Sequence, residues 1–184
     1  MVEMNIVGLA IDPSNRSPII LLRDTCGKRQ VPIWINHEQA HNIMMGIEKS
    51  SAPTSSSHDL MISLINAGNL KIEKIIIHSI QEGTFKAILK LTCTKKSSSK
   101  EDFDEKNLIE VEARPSDAIA LAIRSKSSIW MHEEVVSKAS IPVDAEADEL
   151  DQQEFKDFLD QISPTALIQH LNTREESNKK DIES

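Results

Sequence analysis

Two long runs of strand-forming residues, Leu70–Ile80 and Thr84–Thr94, meet at Glu82-Gly83, and no other feature limits the fold so much. A glycine in so short a connection supplies the positive φ that a tight hairpin requires, so the runs read as partners. The alternation breaks at Ile75-Ile76-Ile77. That break implies either burial on both faces or a bulge, and in both cases a strand deep in a sheet.

The rest of the chain supplies more strands and the helices to cover them. Val2–Ile11 reads as a strand ended by the turn Asp12-Pro13-Ser14-Asn15, and Ile19–Arg23 and Gln30–Ile35 flank Asp24-Thr25-Cys26-Gly27-Lys28 as a second hairpin. Asn36, with Gln39 three residues on, has the form of a capping box for a helix whose stripe is Ile43, Met44 and Ile47. Ser57 is placed to cap a second helix with Leu60, Leu64 and Ile65 on one face and Gly68 at its end. Lys95–Asn107 carries equal charges of both signs and reads as a solvated hairpin tip before Leu108–Ala113 resumes the sheet. Pro115 opens a third helix, running to about Lys126, and Ile129–Met131 and Glu133–Ala139 add a short strand and a helical turn. The expected fold is α+β: a sheet-dominated single domain, residues 1–143, with three or more helices packed on it.

Charge divides the chain more sharply than periodicity does. Of 184 residues, 21 are Lys or Arg and 29 are Asp or Glu, a formal net charge of -8. Residues 144–184 hold twelve of the acidic and four of the basic side chains, which is the entire imbalance. Residues 144–172 read as an acidic helical extension, with Phe155, Phe158, Leu159 and Ile162 at helical spacing, and 173–184 as a disordered tail. The body is neutral, so the acidity does not exclude a polyanionic partner. Aromatic residues make up 3% of the chain, with no Tyr, which argues against a single-strand binder built on an aromatic platform. No apolar run approaches a membrane span, the first residues lack the basic start of a signal peptide, and Cys26 and Cys93 fit neither zinc spacing nor a disulfide framework. A cytoplasmic protein without a membrane role is the expectation.

The candidate chemistry lies in Glu112–Arg124. At 100° per residue Arg114, Asp117 and Arg124 share one stripe of the third helix, while Ile119, Ala122 and Ile123 face the opposite way. Two arginines bracketing one carboxylate are more often a surface ion-pair ladder. The sharper reading is a phosphate clamp at a helix start, where free N–H groups and the guanidinium fork both suit phosphate oxygens. His58-Asp59 lies in the first turn of the second helix, where the dipole favours an acid whatever its function. His37 and His41 have i, i+4 spacing but lack the second half of a zinc motif. No GxSxG, P-loop or dinucleotide fingerprint occurs.

The segments Val31-Pro32-Ile33-Trp34-Ile35, Ser57-His58-Asp59-Leu60, Glu82-Gly83-Thr84-Phe85-Lys86-Ala87 and Ala113–Arg124, taken in this order, resemble the bifunctional nuclease domain family over about residues 3 to 140. The resemblance implies a homodimer that degrades both DNA and RNA. By position it carries over His58, Asp59, Arg114, Ser116, Asp117 and Arg124. Phosphodiester hydrolysis needs an activated water, a neutralised phosphate and a proton for the leaving oxygen. On that chemistry His58, Asp59 and Asp117 are the candidate catalytic residues and Arg114 and Arg124 the phosphate-binding ones. Asp59 and Asp117 are candidate ligands of a divalent cation such as Mg²⁺. Asn36, Gln39, Thr54 and Glu112 depart from the family pattern, and the Gln39 and Thr54 changes remove a carboxylate and a cation. They leave open a non-catalytic dimeric interaction or regulatory module that uses the acidic extension.

Overall fold

The structure, a computed structural model, describes residues 1–48, 56–94 and 108–143. The acidic extension, the proposed tail, the Lys95–Asn107 insert and Thr54 lie outside them. The described part of the chain is α+β, with one mixed eight-stranded sheet and four helices. In chain order these are β1 (Val2–Ile11), β2 (Pro18–Asp24), β3 (Arg29–Trp34), α1 (His37–Ile47), α2 (Ser57–Ala67), β4 (Leu70–Gln81) and β5 (Thr84–Cys93). Then come β6 (Leu108–Ala113), α3 (Pro115–Ser125), β7 (Ser128–Met131), α4 (Glu133–Ala139) and β8 (Ile141–Pro142). Across the sheet the order is β6-β5-β4-β7-β1-β2-β3-β8.

The β4–β5 hairpin is the spine. Glu82 and Gly83 have φ of 49° and 75°, the two positive values that a type I′ turn needs, and Gln81 pairs with Thr84 across it. Both explanations of the triple isoleucine hold. Ile75, Ile76 and Ile77 are 0%, 4% and 0% exposed, so both faces are covered, and the register also shifts between Ile72 and Lys74 and between Ile77 and Ser79. β4 is an interior strand, paired antiparallel with β5 on one edge and parallel with β7 on the other, and α2, α3 and α4 all pack against it.

The capping box on α1 forms as the sequence predicts: Asn36 Oδ1 accepts from Gln39 N at 2.8 Å, and the Gln39 side chain accepts from Asn36 N at 2.9 Å. On α2 the cap is Ser56, one residue earlier than expected, with Asp59 closing the reciprocal half. The apolar face expected there is not core: Leu60 and Leu64 are 58% and 62% exposed, while His58 is buried. The two-residue β8 had no sequence signal and exists by pairing with Arg29 and Gln30 of β3.

The β2–β3 connection is held by one carboxylate. Asp24 accepts from the N–H groups of Lys28 and Arg29 at 2.9 and 3.3 Å and from Arg29 Nε at 3.1 Å. Burial opposes its ionisation, but these donors outweigh it and hold its pKa below the ordinary value of 3.8. A depressed folded pKa means stability that is present above the unfolded value and lost as pH falls through the folded one. Acid unfolding below about pH 3.8 is therefore expected to be shallower in Asp24→Asn, which should also melt lower at neutral pH. Thermal melts of both proteins from pH 7 to pH 2.5 check this, and parallel curves would exclude the role.

Candidate active site

The start of α3 follows directly from β6, with Arg114 at the N-cap and Pro115 at the first helical position. From there α3 runs inward. Ala118, Ile119, Ala120, Leu121 and Ala122 are all 3% exposed or less, because α1 and α2 pack across the side turned away from the sheet. The stripe read from the sequence as a surface is therefore mostly a helix–helix interface. Only its first turn reaches solvent.

The two ends of that stripe have opposite fates. Arg114 is 69% exposed at its side chain and forms a two-point pair with Asp117, Nε to Oδ2 at 2.6 Å and Nη2 to Oδ1 at 3.1 Å. That pairing raises the Arg114 pKa above its already high ordinary value and keeps the group charged. Its Nη1 makes no hydrogen bond among the described residues. Arg124 instead is 9% exposed at its side chain. It donates to Asp59 Oδ1 at 2.9 Å, to the carbonyls of Asn42 and Ala120 at 3.1 Å each, and to Ser56 Oγ at 3.3 Å. Those four bonds tie α1, α2 and α3 together. Arg124, expected to bind phosphate, lies inside the fold with four of its five N–H donors already hydrogen-bonded.

His58-Asp59 divides in the same way. Asp59 Oδ2 accepts from Ser56 N and Ser56 Oγ at 2.9 and 2.7 Å, while Oδ1 takes Arg124. The Ser56 hydroxyl and N–H, with Arg124, hold the Asp59 pKa below its ordinary value against partial burial. Asp59 is thus a cap and an anchor. His58 is 6% exposed, with Nε2 3.5 Å from Asp117 Oδ1 and neither ring nitrogen hydrogen-bonded within the described residues. The five expected residues form one linked array, in which Arg114, Asp117 and His58 make the outer part and Asp59 and Arg124 the inner one. The Ser116 hydroxyl is buried at the junction without a hydrogen-bond partner among the described residues.

The array fits a resident divalent cation poorly. Both candidate ligands, Asp59 and Asp117, already carry an arginine, and no three His, Cys, Asp or Glu side chains converge among the described residues.

A cavity of about 620 Å³ opens beside Arg114. Its walls are the end of β3 and start of α1 (Ile33, Trp34, Ile35, Gln39), the β4–β5 hairpin, and the β6–α3 junction through Ser116. In the sheet order, β3 and β5 are separated by β4, β7, β1 and β2, so a shared cavity requires the sheet to curl strongly. Residues 20–144 match the family model for the bifunctional nuclease domain, about two thirds of the chain. The chain belongs to the bifunctional nuclease domain family. It is also 33% identical over 172 residues to uncharacterized proteins of two Mycobacterium tuberculosis strains, covering 89% of this chain and 96% of each relative.

Three of the four segments that carry the bifunctional nuclease likeness line this one cavity, and the fourth supplies His58 behind it. Sequence reasoning missed Trp34, Gln81 and Lys86 as site residues. Their signal was present, since Trp34 and Lys86 lie inside the recognised segments, but spacing along the chain gives no hint that the segments meet. Two of the four departures are absorbed in the cap of α1: Gln39 closes the capping box as a Glu would, and Asn36 is a better N-cap than Gly.

Gly46 was also invisible in the sequence. A Cβ there would lie 2.7 Å from Arg124 Nη1 and 3.1 Å from the Ile123 side chain. Gly46 lies in the last turn of α1, where replacing Gly by Ala normally stabilises by at most about 1 kcal/mol. Here the guanidinium is pinned, and displacing it loses hydrogen bonds to a charged group, worth about 1.5–3 kcal/mol each. Gly46→Ala should therefore lower the melting temperature in the wild type and leave it unchanged or raise it when Arg124→Ala is already present. Equal shifts in both backgrounds, in chemical or thermal unfolding, would separate Gly46 from Arg124.

Proposed function

We propose that this protein hydrolyses phosphodiester bonds of DNA and RNA with little sequence preference. The observation behind this reading is Arg114, at the exposed start of α3 on the rim of the cavity, paired with Asp117, which the buried His58 of α2 backs at 3.5 Å. An arginine donor without a partner among the described residues, beside the N–H groups of a helix start, suits a phosphate oxygen. Those contacts read phosphate and no base, hence the absence of sequence preference.

In this mechanism Arg114 Nη1 and the first-turn N–H groups of α3 neutralise the phosphate. Asp117 is partly exposed and retains unused lone pairs on both oxygens, so it can accept the proton of an attacking water. The water oxygen bonds to phosphorus, the ester P–O bond breaks, and the leaving oxygen takes a proton from solvent. His58 lies behind Asp117 with both nitrogens shielded from solvent, so it acts through Asp117 as a positioning residue. No step passes through a metal ion.

Purified protein is expected to degrade labelled single-stranded DNA and RNA. Asp117→Asn should lower the rate about 10²-fold or more, and Arg114→Ala by roughly 10²–10³-fold. Equal degradation by the wild type and both variants would mark a contaminant and remove the site. Activity should persist in EDTA; a rate abolished by EDTA and restored by Mg²⁺ would instead mean that Asp117 gives up Arg114 to the ion.

We further propose that the protein acts as a cytoplasmic homodimer. Free, exposed Cys26 and Cys93 suit a reducing compartment, and no described helix is long and apolar enough to cross a membrane. Support for self-association is the uncovered apolar surface: Leu60, Met61 and Leu64 on α2, and Leu108, Ile109 and Val111 on the edge strand β6, are 37–62% exposed. The same surface would serve the alternative, a non-catalytic interaction module, and the degradation assay separates the two. Light scattering of the full chain should give twice the chain mass, and Leu64→Glu should give the monomer; a monomeric wild type would remove the dimer.

A further inference from the structure

The cavity beside Arg114 exceeds what a phosphate clamp needs. A phosphate oxygen requires a few donors on a rim, whereas about 620 Å³ lies within the ~300–1,000 Å³ range of sites that enclose a small organic molecule. Its lining combines three rings, Trp34, Phe85 and the imidazole of His78, with two side-chain amides, Gln39 and Gln81, and two cations, Lys86 and Arg114. Lys86 makes no ion pair among the described residues, and Glu112 is the one acid in the lining.

Trp34 is the telling element. It is 55% exposed, where an indole ring ordinarily costs solubility, yet its Nε1 donates to Asp12 Oδ2 at 2.9 Å. That bond is the largest cause holding the Asp12 pKa below its ordinary value. A ring exposed but held in place is what stacking on a flat ligand requires. The scarcity of aromatics in the whole chain argued against an extended platform, and one ring at a cavity mouth is enough for a single base.

We propose that the cavity is a nucleoside subsite: it receives the unstacked base and sugar attached to the phosphate held by Arg114, with Trp34 stacking on the base, Gln39 or Gln81 reaching its edge and Lys86 lying against the next phosphate. This rests on reading Arg114 as a phosphate ligand. A base paired and stacked in a duplex cannot enter, so the subsite selects single strands or frayed ends.

The test is titration of the full chain with adenosine 5′-monophosphate and, separately, with inorganic phosphate, by calorimetry and by fluorescence. The chain has two Trp residues, so a Trp130→Phe background isolates the Trp34 signal. The nucleotide is expected to bind roughly tenfold or more tightly than phosphate and to quench Trp34. Trp34→Ala should weaken nucleotide binding about tenfold without changing phosphate binding, and Trp34→Phe should restore most of the loss. That second variant keeps the test sound if Trp34→Ala misfolds. Equal affinity for nucleotide and phosphate, or indifference to both Trp34 variants, overturns the subsite. Degradation of oligonucleotides is scored separately. Nuclease activity without nucleotide preference removes the subsite and leaves the reaction, whereas Trp34-dependent nucleotide binding without degradation removes the reaction and leaves the subsite.

Discussion

The guanidinium of Arg124 sits where α1, α2 and α3 cross, and the positions of the other polar groups depend on it. It reaches a carbonyl of α1, the cap and first-turn carboxylate of α2, and a carbonyl of its own helix. Burying a charge so deeply is tolerable only because nearly all its donors are satisfied. The cost is spread over neighbours: Gly46 gives up helix propensity to make room, and Asp59 is committed to a structural ion pair. What this secures is the orientation of the α2 start, and with it the placement of His58 behind Asp117.

The outer pair obeys different physics. Arg114 and Asp117 are joined by good geometry, but the Arg114 side chain stands largely in water while Asp117 is only partly exposed, so screening weakens their attraction. Such a pair is cheap to rearrange. An exposed arginine that can shift between a carboxylate and an incoming phosphate suits binding and release, while the buried arginine ten residues later holds still. The two resemble each other in sequence and differ in every physical respect.

That difference marks the limit of what the sequence discloses. The strands, the hairpin at Glu82-Gly83, the capping box at Asn36 and the Pro115 helix start are local: turn chemistry, caps and alternation specify them within a few residues. The stripe of Arg114, Asp117 and Arg124 was also readable, since a helix fixes angular position. What an angle cannot say is what lies opposite. Packing of α1 and α2 over α3 places Arg124 inside a three-helix junction, and the same packing left Leu60 and Leu64 outside. The cavity was illegible for a related reason, because it depends on the curl of the sheet, a collective property of eight strands and their bulges.

Charge carries the argument one step further. The described body and the segments between its described parts sum to neutral, so long-range attraction to a polyanion is weak and falls further with salt. A protein of this kind gains little from drifting onto a duplex and must win its affinity at short range. The local balance favours that outcome: Arg114 and Lys86 outnumber Glu112 around the cavity, and a fixed ring adds contact that salt does not screen. Affinity built from one stacked base and two cations is nearly indifferent to sequence and strongly dependent on strand separation. On the proposed reading a neutral body with one charged corner suits unpaired nucleotides, and the acidity of residues 144–184 works against any broader electrostatic hold on the backbone.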